Sequence, residues 1–166
     1  MKSNTNTSIK KEPHRVAILW DKLGSFALGR MLFSFLLGRT VPYSGTIRSS
    51  VLNIGDGKAT LIMKDRKGIR NHLKSIHAIA LANLGELASG LAMFSVISNS
   101  TRAIVVDLDI HYFKKARGRL TVVGQANPPD IIDEPIKSIV TAEIKDDAGD
   151  VVAKINVHWL LSPPIE

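Results

Sequence analysis

With 166 residues and 45% apolar content the chain can bury one substantial core, and the absence of any cysteine excludes disulfides, zinc–thiolate sites and thiol nucleophiles. The formal charge of +7 invites a nucleic-acid reading, but the cations gather in two short clusters, residues 64–74 and 114–119, against an acidic stretch at 130–150. That distribution suits a small anionic ligand better than DNA or RNA, and a cysteine-free chain fits a reducing, cytoplasmic setting.

Residues 1–14 are polar and basic and are expected to form a disordered tail; no unbroken apolar core follows them, so they do not read as a signal peptide. A single domain is expected over 15–166, beginning with a helical lead at 15–41. Apolar residues dominate Val16–Tyr43, yet Asp21, Lys22, Arg30 and Arg39 leave no uncharged window of the roughly 20 residues a membrane span requires. A surface helix or a pair of short helices docking an apolar face is predicted, with interfacial membrane contact as the lesser alternative.

Pro42 and Gly45 mark a stop. Thr46–Asn53 then alternates as a strand, Gly55-Asp56-Gly57 signals a turn, and Lys58–Lys64 returns. Ser75 is a candidate N-cap for a central helix over 75–98, in which Glu86 is the sole formal charge between Ser75 and Ser98. A helix apolar all round must be covered on more than one side, by a curled sheet or another subunit. Gly85, Ala88, Ser89, Gly90 and Ala92 would let neighbouring backbone approach closely.

Ala103–Phe113 alternates, with Ile104, Val106, Leu108, Ile110 and Tyr112 on one face and Val105, Asp107, Asp109, His111 and Phe113 on the other. Strands at Arg119–Ala126, Ile136–Ile144 and Val151–Leu161 complete the chain, the last two joined across Asp147-Ala148-Gly149-Asp150. Two strands, one buried helix and four strands predict an α+β fold with an antiparallel sheet wrapped around the helix.

Asn71, His77 and Glu86 are the residues best placed for chemistry. His77 and Glu86 are nine positions apart, so at ~100° per residue they face opposite ways and lie about 13.5 Å apart along the axis. If they cooperate, a second chain must supply one of them. His77 and Ala78 fall in the first helical turn, where free N–H groups and the positive helix end favour an oxyanion. Glu86, mid-helix among apolar side chains, is costly to ionise unless paired or used, which makes it a candidate general base or nucleophile. The plainer readings are a paired structural carboxylate for Glu86, a cap for His77 and a turn residue for Asn71. His72 and His77 share no clean helical face, and no acid or thiol completes a metal set. Lys114–Arg119 is most simply a polar hairpin.

The string NHLKSIHAIALANLGELASG resembles the active-site segment of hotdog-fold acyl-CoA thioesterases of the phenylacetate-degradation and 4-hydroxybenzoyl-CoA branches. Asn71, His77 and Glu86 reproduce that family's spacing of Asn, His six later and an acid nine after that. Together with GRMLFS and PYSGTI, it is similar to a thioesterase-related hotdog family known only as a domain of unknown function, from about Leu28 to Ala126. The resemblance implies a homodimer, or a tetramer, with active sites at the interface and an acyl-CoA or other acyl thioester as substrate. Glu86 would activate water or attack the thioester, the Ala78 N–H would hold the oxyanion, and Asn71 would position thioester or water, with His77 in support. Arg66, Arg70, Lys114, Lys115 and Arg117 would meet the phosphates of coenzyme A, which enters only as part of the substrate; no further cofactor is required. The chain departs from the family pattern where Ala78-Ile79 replaces Gly-Gly, where the acid is Glu, and where Val105 stands at a hydroxyl position. A non-catalytic acyl-thioester or lipid-binding hotdog module is the alternative; hydratase chemistry ranks below both.

Overall fold

The computed structural model describes residues 12–129 and 132–164. Three helices lead: α1 (Arg15–Leu23), α2 (Ala27–Thr40) and the short α3 (Pro42–Gly45). Strands β1 (Ser50–Gly55) and β2 (Lys58–Lys64) precede α4 (Ala78–Phe94), and β3 (Arg102–Tyr112), β4 (Arg119–Gln125), β5 (Ile136–Lys145) and β6 (Val151–Ser162) follow it. They form one sheet in the order β1-β2-β4-β5-β6-β3, antiparallel at every junction.

The alternation along each inner strand explains why this sheet closes on α4. Ala59, Leu61 and Met63 of β2, Leu120 and Val122 of β4, Val140, Ala142 and Ile144 of β5, and Ile155, Val157 and Leu161 of β6 are all fully buried. Each large side chain among them contributes roughly 1.5–3 kcal/mol through burial. Twelve of the seventeen residues of α4 are buried, as a helix without a polar face requires. Contact between helix and sheet is close enough to need glycine on both sides. A Cβ on Gly85 would stand 2.8 Å from Ile155 Cδ1, and one on Gly124 would stand 2.6 Å from the Ala88 carbonyl. The wrapped sheet and its central helix are the arrangement of the hotdog fold.

The tail expectation needs correction at its end. Residues 1–11 lie outside the described residues, but Pro13 bridges to Ser98, and the His14 ring stacks on Phe94 at 4.4 Å while its Nδ1 accepts the Val16 N–H to cap α1. The lead is a helix pair, locked by an edge-on contact between Trp20 and Phe33 at 5.1 Å. No helix among the described residues is long and apolar enough to cross a membrane.

Three local readings also shift. The strand expected over Thr46–Asn53 begins only at Ser50, because the N–H groups of Thr46, Ile47 and Arg48 turn back to the carbonyls of Tyr43, Ser44 and Gly45. The central helix spans Ala78–Phe94 rather than 75–98: at its start the N–H and hydroxyl of Ser75 are both taken by Asn71 and Ile76 bridges to Arg70, and at its end Ser95 caps it, its N–H and hydroxyl both donating to the Ala92 carbonyl. In β3 the register slips between Val105 and Asp107, so a bulge at Val106 breaks the expected alternation. Ala103 therefore packs on the core side with Leu108 and Ile110, while Ile104 and Val106 are exposed.

Candidate functional site

The loop from Asp65 to His77 builds the start of α4. The Asp65 carboxylate pairs with Arg70 Nε at 2.7 Å and accepts the Gly118 N–H at 3.3 Å, and both contacts hold its pKa below the usual carboxylate range. Asn71 Oδ1 then accepts three bonds, from Leu73 N–H at 2.9 Å, Ser75 N–H at 3.2 Å and Ser75 hydroxyl at 3.1 Å. The Ile76 N–H donates to Ala116 and the His77 N–H to Ile69, which fixes the direction in which α4 leaves the loop.

His77 is the N-cap of α4: its Nδ1 accepts the Ile79 N–H at 3.1 Å, and its carbonyl takes the N–H groups of Ala80 and Leu81. The Ala78 N–H has no acceptor among the described residues, and Ala78 is exposed. One unspent backbone donor thus stands at a helix N-terminus, where the helix dipole favours negative charge. The Tyr112 hydroxyl donates to the Ala78 carbonyl at 3.2 Å, tying the end of β3 to this turn. Burial pushes the Tyr112 phenol up. Tyr112 was visible in the sequence only as one more residue of an alternating strand; nothing local marked its reach across to α4.

Glu86 lies eight residues into the helix. It is half-buried, has neither ion pair nor hydrogen-bond partner for its carboxylate among the described residues, and desolvation raises its pKa. Ile79, Ala82 and Glu86 follow one another at helical spacing on the strip of α4 that the sheet leaves uncovered, and Ile79 is 53% exposed. On this side a carboxylate could meet a ligand or a second chain.

His77 and Arg70 share the wall of a cavity of about 200 Å³ with Asn83, Tyr43 and Ile79, and Glu86 does not line it. Asn83 is buried; its amide donates to the Tyr43 carbonyl at 3.2 Å, while its Oδ1 has no partner among the described residues. Sequence reasoning passed over Asn83, although an amide inside so apolar a helix is itself a signal.

The basic residues divide by their partners. Arg70 is paired with Asp65, and Lys114 with both Asp146 at 2.6 Å and Asp150 at 2.7 Å, contacts that raise the Lys114 pKa. Lys115 and Arg117 are exposed on the turn between β3 and β4. Arg66 donates to the Thr46 carbonyl and has a buried Nε without a partner among the described residues. On β3, Asp109 bonds Asn156 at 3.0 Å and His158 at 3.1 Å, so it serves the sheet rather than a metal; no metal-holding cluster occurs among the described residues.

Known structures share this architecture. A structural-genomics target superposes with a TM-score of 0.76 at 22% identity, over 89% of this chain and 98% of its own. A protein of unknown function from Pseudomonas aeruginosa gives 0.69 at 22% identity over 80% and 95%. A thioesterase family protein from Silicibacter pomeroyi gives 0.66 at 14% identity over 78% and 96%. At these identities the likeness establishes the hotdog fold. No curated protein matches the sequence. The model of the family described as a domain of unknown function, DUF4442, matches residues 29–161, and the chain belongs to that family.

Proposed function

We propose that the protein is a hotdog thioesterase that hydrolyses an acyl-CoA or a related acyl thioester in a homodimer or a higher assembly of such pairs. One observation carries this reading: the single charged residue of α4 is a half-buried carboxylate without a partner among the described residues, and the same helix begins with an unspent N–H at Ala78. Eight residues of helix, about 12 Å of rise, keep the two apart within one chain. A neighbouring protomer brings the Glu86 of one chain to the α4 start of the other. Edge strand β3 suits such pairing, because Ile104, Val105 and Val106 are exposed along it and, among the described residues, no strand lies on its outer side.

In this site the Glu86 carboxylate takes a proton from water as the oxygen attacks the thioester carbonyl. The oxyanion is held by the Ala78 N–H at the helix end, an interaction worth about 3 kcal/mol of barrier in comparable sites. Collapse of the tetrahedral species breaks the C–S bond, and the proton held by Glu86 passes to the departing thiolate. The raised pKa of Glu86 suits this exchange, since a base nearer neutrality is also a competent acid. Asn71 spends its carbonyl oxygen on the loop, which leaves its Nδ2 amide to face the thioester or water.

The test is thiol release over a panel of acyl-CoA esters, wild type against Glu86→Ala. Full activity in the variant against a substrate of the wild type rules the reading out. A second reading, a binding module that does not turn over its thioester, is favoured by Ile79, a large apolar side chain exposed next to the Ala78 N–H at the α4 start. Thermal stabilisation by acyl-CoA with no thiol release across the panel selects it.

A further inference from the structure

We propose that the trough between α2, α3 and β1 is a binding site for a single-chain amphiphile with a phosphate head, separate from the Glu86 strip. Its cavity of about 370 Å³ falls in the range of ligand pockets. Met31, Phe35 and Leu37 of α2 and Leu87 of α4 line it, and its mouth opens into a wider cleft that shares Gly38, Arg39, Gly45 and Arg48 in its walls. The walls are closely joined: Gly45 packs on the Gly38 carbonyl with no room for a Cβ, and Ser34 Oγ accepts the Val51 N–H at 2.9 Å.

Three arginines from three elements converge on the cleft, Arg39 from α2, Arg48 from the turn into β1 and Arg66 from the loop after β2. No carboxylate lines either space, and none of the three has an ion pair among the described residues. Arg66 is anchored through the Thr46 carbonyl, with its Nε buried and without a partner among the described residues. Arg48 is held in the left-handed region at φ 50, a conformation that a residue with a side chain adopts at a cost. Cations gathered without counter-charge, one of them strained, fit a multiply charged anion, and guanidinium forks match phosphate oxygens. The adjoining cavity, in which Met31, Phe35, Leu37 and Leu87 stand among four serines, fits an alkyl chain along those apolar side chains. A phospholipid-derived head and a coenzyme A ester share this chemistry.

Calorimetric titration of the full chain with dodecyl phosphate, below its micelle concentration, tests the site. Saturable binding is expected, weakened at least tenfold in Arg39→Gln and in Arg48→Gly, with inorganic phosphate and dodecanol each binding at least tenfold more weakly than the amphiphile. Because glycine relieves the positive φ, Arg48→Gly is also expected to melt no lower than the wild type, which separates lost binding from lost folding. Lysophosphatidate and the non-hydrolysable thioether S-dodecyl-CoA as further titrants identify the source of the head group: the one bound more tightly, with its affinity lowered at least tenfold in Arg39→Gln, is the nearer to the natural ligand. Absence of saturable dodecyl phosphate binding, or equal binding by both variants, overturns the proposal; so does dodecanol or phosphate matching the amphiphile. Binding is read without turnover, so failure here leaves the hydrolase reading standing, and loss of that reading leaves this site in place.

Discussion

The Asn71 side-chain oxygen holds Ser75 twice, accepting its backbone N–H at 3.2 Å and its hydroxyl at 3.1 Å. With the third bond from Leu73 this one atom shapes the loop that delivers His77 and Ala78 to the start of α4. Its contribution to folding and its proposed contribution to chemistry are therefore separable. Asn71→Ala is expected to cost about 1–2 kcal/mol in a urea titration, given the net worth of such bonds. Asn71→Asp keeps the acceptor oxygen and recovers most of that stability. It lacks the amide donor, so kcat stays depressed in both variants.

Glu86 couples stability to pH. Its folded-state pKa lies above the ordinary 4.5 because of burial, so the folded chain retains a proton that the unfolded chain gives up. Its contribution is most favourable at low pH, below the unfolded value, and is lost as pH rises through the folded one. Glu86→Gln is accordingly expected to melt higher than wild type at pH 7–8 and to match it near pH 4. Solvent reaches the half-buried side chain, which limits the gain to about 1 kcal/mol, roughly 2–4 °C for a chain of this size. Thermal melts at the two pH values check both sign and window.

Two glycines of the helix–sheet contact behave oppositely. Gly124→Ala places a methyl 2.6 Å from the Ala88 carbonyl, a backbone atom that cannot yield cheaply, and is expected to cost about 1–3 kcal/mol. A Cβ on Gly90 finds its nearest neighbours at 3.6 Å, on the Trp159 ring, which is ordinary contact. Gly90→Ala is expected to stabilise by roughly 0.5–1 kcal/mol, the usual gain within a helix. Denaturant midpoints of the two variants make the comparison.

If each site draws Glu86 from one protomer and the α4 start from the other, variants broken on opposite sides complement. Glu86→Gln and Asn71→Ala, each impaired alone, are expected to regain about a quarter of wild-type activity when co-refolded in equal amounts, because half the dimers then carry one intact site of two. No gain over the separate variants places both residues in one chain's site.

Much of this architecture could be read directly from residue order. The near-absence of charge between Ser75 and Ser98 demanded a cover for the helix, and the alternation of β2, β4, β5 and β6 supplied it. What misled was local competition. Ser75 has the chemistry of a cap, but Asn71 claims both of its donors, so the cap falls to His77. The β3 alternation was clean in sequence, yet a bulge at Val106 changes its phase, and no side chain announces an extra residue in a ladder. The candidate site was legible in part: residue order placed His77 at the start of the central helix and Glu86 in its middle, and the resemblance added Asn71, whereas Asn83, Tyr112 and the cluster of Arg39, Arg48 and Arg66 depend on contacts between elements far apart in the chain. The basic clusters looked uniform, but the placing of Asp65, Asp146 and Asp150 neutralises some members and leaves others open.

The central claim is that the lone carboxylate of α4 drives thioester cleavage. Measuring kcat/KM for thiol release from the best acyl-CoA of a panel, for wild type and for Glu86→Gln, tests it most directly. A fall of about 10²–10⁴-fold in a variant that still melts at least as high as the wild type at neutral pH is the predicted result. A Glu86→Gln variant that turns over the same ester at the wild-type rate contradicts the account.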